Sequence, residues 1–106
     1  MIALFLAVCM HTQADCNEVG ISYGFTLPDA WGVTTFYHDG HMHVQIDRLL
    51  HDKPHLKAAV ILHEVTHVAL LAEGYKGDPH GEAFIAKCFE LSTKSGLPDL
   101  ACRKTL

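Results

Sequence analysis

Apolar and polar positions alternate in a different way in each part of the chain, and each pattern predicts an element. Ile2 to Met10 (IALFLAVCM) is apolar throughout and is followed by polar residues from His11 to Asp15. Two readings fit this beginning. One is a first helix packed on the core. The other is a short signal peptide cut after Ala14, with small residues before the cut but no Lys or Arg ahead of the apolar run. Residues 1–14 are therefore set apart from a single domain over residues 15–106. Val19 to Leu27 reads as a short strand ended by Pro28 and Asp29.

Val33 to Asp47 (VTTFYHDGHMHVQID) reads as a β-hairpin, with Asp39-Gly40 as a two-residue turn. That turn places Tyr37 opposite Met42, Thr35 opposite Val44 and Val33 opposite Ile46, all on one core-facing side. His38, His41, His43, Thr34 and Gln45 then fall on the wet side.

The strongest helix signal runs from Lys53 to Glu73. Asp52 can cap it, Pro54 suits its first turn and Gly74 can end it. It is apolar on most sides, so it must be buried on most sides. A second helix is expected from Pro79 to Ser95, with Asp78 as its cap and Gly96 just past its end. The fold expected is α+β: a small antiparallel sheet packed against the first of these helices, with the second helix beside it.

Composition narrows the function classes. The chain has 106 residues, 49% hydrophobic and 19% charged, which fits one domain with one core and excludes a disordered tail or a coiled coil. No uninterrupted apolar run reaches the ~18 residues of a membrane span. The net charge of −4, with scattered Lys and Arg, provides no basic patch for direct nucleic-acid binding. Cys9, Cys16, Cys88 and Cys102 form no CxxC pair; a Cys88–Cys102 bridge and isolated thiols fit equally well. Compartment stays open, with the cytoplasm slightly favoured over a secreted or periplasmic location.

Nine histidines are the compositional outlier, and their positions matter more than their number. His63-Glu64-Val65-Thr66-His67 is an HExxH sequence in the middle of the buried helix. Imidazoles four residues apart lie on one helix face, close enough to grip one ion. Glu64 sits about 100° round the helix from His63, near enough to serve as base without being a ligand. Chance alone would supply about 0.03 such motifs in this composition. Burying two histidines and a glutamate without partners would cost several kcal/mol.

Zinc with three protein ligands keeps one position for water, so a third ligand is needed. The HExxHxxGxxH pattern fails, because Leu70 and Glu73 stand where its glycine and third histidine belong. Glu82 and Glu90 are candidates, but His80 is preferred. It opens the second helix directly before Gly81, whose missing side chain allows close backbone approach. One zinc per chain, bound by His63, His67 and His80, is the expected cofactor, and Glu64 the expected catalytic residue.

HExxH, a short loop and then His80-Gly81-Glu82-Ala83-Phe84 opening a helix resemble the SprT-like (Spartan-type) zinc metallopeptidase core. Val44 to Leu50 also resembles the strand-then-helix lead-in of that family. The resemblance covers about Val33 to Gly96. It implies a minimal zincin-like fold, the histidine of HG as third ligand, and hydrolysis of peptide bonds in a protein or peptide substrate. Larger members carry a cysteine-rich zinc ribbon or DNA- and ubiquitin-binding tails after the core. Nothing like these follows Gly96, so repair of DNA–protein crosslinks is not carried over. A monomer is assumed.

The remaining histidines have plainer readings. His38, His41 and His43 read as solvated strand residues, although a hairpin at the sheet edge can also bind an extended peptide by strand addition. His51 and His55 read as surface residues, as do Glu73 and Glu82. Tyr37 and Tyr75 are possible oxyanion donors, with packing the simpler role for both. Two functional rivals stand beside the peptidase: an inactive zinc-binding interaction module, and a zinc hydrolase acting on a bond other than a peptide.

Overall fold

The longest apolar stretch forms the axis around which everything else packs. In the computed structural model, which describes residues 1–103 except Leu27 and Asp29, this stretch is helix α2 (Pro54–Ala72). Ahead of it come α1 (Ile2–Cys9), β1 (Val19–Gly24), β2 (Gly32–Phe36) and β3 (Met42–Asp47). After it come α3 (Glu82–Ser95) and the single turn α4 (Leu100–Arg103). The α+β class is as expected. Helix α2 packs against α1, α3, α4, β2 and β3, which explains an apolar surface on nearly every side. Ile61, Leu62, Val65 and Val68 are fully buried there, each contributing ~1.5–3 kcal/mol relative to exposure.

By length and a hydropathy of 1.2, α2 is long and apolar enough to cross a membrane, a length that uninterrupted apolar runs do not reveal. However, 61% of that window is buried inside the protein, as befits the central helix of a core. Its boundaries are close to those expected, but its cap is not. Lys53 is the N-cap residue and makes no side-chain cap, while Asp52 pairs with the Lys53 ammonium at 3.2 Å. Pro54 at the first helical position has no N–H in need of a cap, which lessens the loss.

The sheet is mixed rather than antiparallel, with strand order β1-β3-β2. β3 pairs antiparallel with β2 and parallel with β1, Val19 standing opposite Met42 and Tyr23 opposite Ile46. β1 and β3 are not joined by a hairpin, since β2 comes between them in the chain and lies on the far side of β3. The expected strand ended at Leu27, which lies outside the described residues; the observed one stops at Gly24.

The hairpin register also differs, by one residue. Tyr37 N–H donates to the His41 carbonyl and Gly40 N–H to the Tyr37 carbonyl, so the loop is the three residues His38, Asp39 and Gly40. Gly40 takes φ +92°, which a three-residue loop ending in a bulge demands. Phe36 therefore faces Met42, Thr35 faces His43 and Thr34 faces Val44. The inward set on β3 (Met42, Val44, Ile46) is as expected, but β2 is turned over. Val33 and Thr35 face solvent, and Gly32 and Thr34 face α2.

α1 lies on α2 and α3 and buries Phe5, Val8 and Cys9. Cys9 is bonded to Cys16, across the position where a signal peptide would be cut, and Cys88 to Cys102. The second helix begins at Glu82, three residues later than expected, with Gly81 as N-cap residue. Asp78 instead caps the turn before it, its carboxylate accepting from the His80 N–H at 3.0 Å. Gly96 ends α3 at φ +75°.

Candidate metal centre

Two consecutive turns of α2 and the loop after it bring three imidazoles together. His63 and His67 project from one face of α2, and His80 reaches them from the tight turn pinned by Asp78. One ligand nitrogen from each lies within 4.8 Å of the others. His67 Nε2 and His80 Nε2 are 3.1 Å apart, one ring donating to the other. This group can hold a metal ion. It includes the three expected ligands and none of the carboxylates: Glu82 is exposed, and Glu90 pairs with Lys87 and Lys94.

Phe84, in the first turn of α3, packs its ring on all three imidazoles, with centroid distances of 4.8, 4.7 and 5.3 Å. It forms an apolar backing that excludes water from one side of the cluster. Gly81 has a different task from the one expected. A Cβ there would meet Asp78 at 3.1 Å, so glycine permits the capped turn rather than an approach to the imidazoles.

Glu64 is 2% exposed, beside the cluster, with Oε2 3.9 Å from His63 Nε2. Its Oε1 accepts from Thr34 Oγ1 at 2.8 Å. Burial pushes its carboxyl up to about 7, and the Thr34 hydrogen bond works against that rise. Burial, with His80 nearby, pushes His63 down to about 4; burial, with His63 and His80, does the same to His67. Both rings are then neutral at physiological pH, the form a metal requires.

Thr34 and Gly32 belong to the site although neither stands out in the sequence. A Cβ at Gly32 would meet Val60 at 2.8 Å and Glu64 Cγ at 2.9 Å, so only glycine lets β2 lie against α2 here. The signal for both is the register of the hairpin, which the true loop length would reveal. With Thr34 as donor, Glu64 has one oxygen fixed and one directed to the cleft. For the hydrolase expected from the sequence, Thr34→Val would lower activity about tenfold, the cost of one charge-assisted hydrogen bond. Thr34→Ser should restore it, and zinc content should not change. Equal rates in Thr34→Val and wild type would remove Thr34 from the mechanism.

The cluster lies at the base of a cleft of about 520 Å³. One wall is β2, whose outer edge is unpaired, and the other is the loop over residues 75–80. Leu70 and Leu71 line its apolar end. Tyr75 also borders it, but its hydroxyl donates to the Asp78 carbonyl at 3.3 Å and so braces the loop. Tyr37 is exposed beside the hairpin loop, away from the cleft lining. His38, His51 and His55 are exposed, as expected, while His41 bridges Asp39 and Glu18 and His43 pairs with Ser22.

The burial of these groups makes the metal-free protein acid-sensitive. Lowered imidazole pKa values mean that the unfolded chain takes up two protons between about pH 6.5 and 4 that the folded chain does not. Glu64 acts oppositely: raised to about 7, it holds one proton when folded that the unfolded chain has released above 4.5. The unfolded state thus binds one proton more, and stability should fall by ~1.4 kcal/mol per pH unit on acidification through this window. Urea titrations of chelator-treated protein at pH 4.5, 5.5 and 6.5 measure the slope. A stability that rises on acidification would contradict the burial of the two imidazoles.

No protein-family model matches this chain, and no curated protein matches it. Its chemistry therefore has to be read from three imidazoles, one buried carboxylate and the cleft above them.

Proposed function

We propose that this protein is a zinc-dependent metallopeptidase of the SprT-like type. The observation that carries the reading is the convergence of His63, His67 and His80 on one point beside a buried Glu64. A closed structural site would need no such carboxylate, which favours a catalytic site over an interaction module. Three imidazole nitrogens suit zinc. One donor nitrogen from each lies within 4.8 Å of the others, close enough for one ion.

Zinc in this position would supply a Lewis acid to polarise the scissile carbonyl and acidify water. The other steps belong to the chain. The three imidazoles, in their neutral form, would hold the ion. Glu64 accepts the nucleophile's proton at Oε2, the oxygen not engaged by Thr34, and delivers it to the leaving amine. The unpaired edge of β2 binds an extended peptide through backbone hydrogen bonds, and the apolar end at Leu70 and Leu71 accepts a side chain.

Metal analysis together with a peptide-cleavage assay on wild type and Glu64→Gln tests the proposal. Hydrolysis of a non-peptide bond alone would favour the other class of zinc hydrolase. The two disulfides suit an oxidising compartment, to which we assign the protein.

A further inference from the structure

A buried histidine nitrogen lacks a partner. Among the described residues, His63 Nδ1 is the one buried side-chain nitrogen or oxygen with no hydrogen-bond partner. The opposite ring nitrogen, Nε2, faces Glu64 at the cleft. A ligating histidine generally donates its second N–H to an acceptor that fixes ring tautomer and orientation. The sequence motif provides no such acceptor.

The short helix α4 is positioned to provide it. His63, His80 and Phe84 share a small cavity of about 110 Å³ with Ala101 and Cys102. Ala101 is 1% exposed. Its carbonyl is close enough to His63 to act on the ring as a backbone acceptor. Four residues cannot hold a helix in place by themselves. Besides its packing on α2 and α3, α4 is tied to α3 by the disulfide from Cys102 to Cys88, with Cα atoms 5.4 Å apart. Cys88 is one turn beyond Phe84 on α3, so a single helix carries both the aromatic backing of the imidazoles and the anchor of α4.

We propose that the Ala101 carbonyl is the positioning group for His63, accepting from Nδ1–H, and that the Cys88–Cys102 disulfide holds it there. The disulfide would then act on the metal through a backbone carbonyl and an imidazole. The inference rests on the metallopeptidase reading only in taking His63 as a metal ligand. It goes beyond that reading in making α4 part of the centre.

Two measurements test it. In intact zinc-loaded protein, long-range ¹H–¹⁵N NMR should show His63 protonated at Nδ1, with Nε2 on the metal. The double variant Cys88→Ser/Cys102→Ser should lose about 10–100-fold in zinc affinity by chelator competition, the usual cost of removing an outer partner. Cys9→Ser/Cys16→Ser, which opens the other disulfide, should bind zinc as wild type does.

An Nε2-protonated ring would overturn the proposal even if the Cys88/Cys102 variant failed to fold. Unchanged affinity in a folded Cys88/Cys102 variant would also overturn it, as would an equal loss in both variants. Those results leave the peptidase reading standing. Zinc binding without peptide cleavage would overturn the peptidase reading and leave this one, whereas no zinc in the intact protein would overturn both.

Discussion

Glu64→Gln is expected to lower peptide hydrolysis by about 10²–10⁴-fold, the usual contribution of a positioned acid–base group. Zinc should remain bound at one per chain, because the substitution leaves all three imidazoles in place. Gln fills the same volume and keeps an oxygen for the Thr34 hydroxyl, which donates to Oε1 at 2.8 Å. What it cannot do is accept a proton from the nucleophile and return it to the amine. Glu64 is buried, so water cannot readily replace it as a proton carrier from the same direction. Release of new amino termini from an unfolded protein substrate, measured beside metal content, separates the outcomes. Cleavage at the wild-type rate with zinc bound would place the base elsewhere.

The second large effect concerns the metal. His80→Ala should weaken zinc binding by more than the ~100-fold that outer-shell changes reach, since it removes a ligand outright. Glu82→Ala and Glu90→Ala should stay within a few-fold of wild type. His80 is exposed on a turn held by Asp78, so the substitution opens no core cavity and the fold should survive. Glu90 is occupied with Lys87 and Lys94 on the outer side of α3. Chelator competition on the three purified variants orders them directly. A greater loss in either glutamate variant would mean that the third ligand is a carboxylate and that His80 lies near the ion without binding it.

The parts of the site read from sequence are those carried by helix periodicity. His63 and His67 share a face of α2 because 3.6 residues per turn leave no alternative once the helix forms. Glu64 takes the neighbouring direction for the same reason. His80 needed one further step, its preference as the residue opening the second helix directly before Gly81. That step succeeded although the helix boundary did not, since the Asp78 turn, not the helix itself, carries His80.

The strand side was read with the wrong face. Strand faces alternate every residue, so one extra loop residue at the hairpin turns all of β2 over. Thr34 moved from the wet face to a hydrogen bond with Glu64, and Val33 moved out. Asp39-Gly40 suits both a two-residue turn and a three-residue loop with glycine last, and only packing against α2 chooses between them. The choice follows from Gly32, the one residue small enough to pass Val60 and Glu64.

By itself, then, the sequence determined the α+β class, the buried central helix and the grouping of two imidazoles and a carboxylate on it. Local periodicity is enough for those. The tertiary structure decided the mixed sheet, the partner of Glu64, the cleft along β2 and the closeness of Ala101 to His63. Each of these depends on which surfaces meet across long stretches of chain. A contact of that kind is settled by the space left after the core has packed, not by the spacing of residues along the chain.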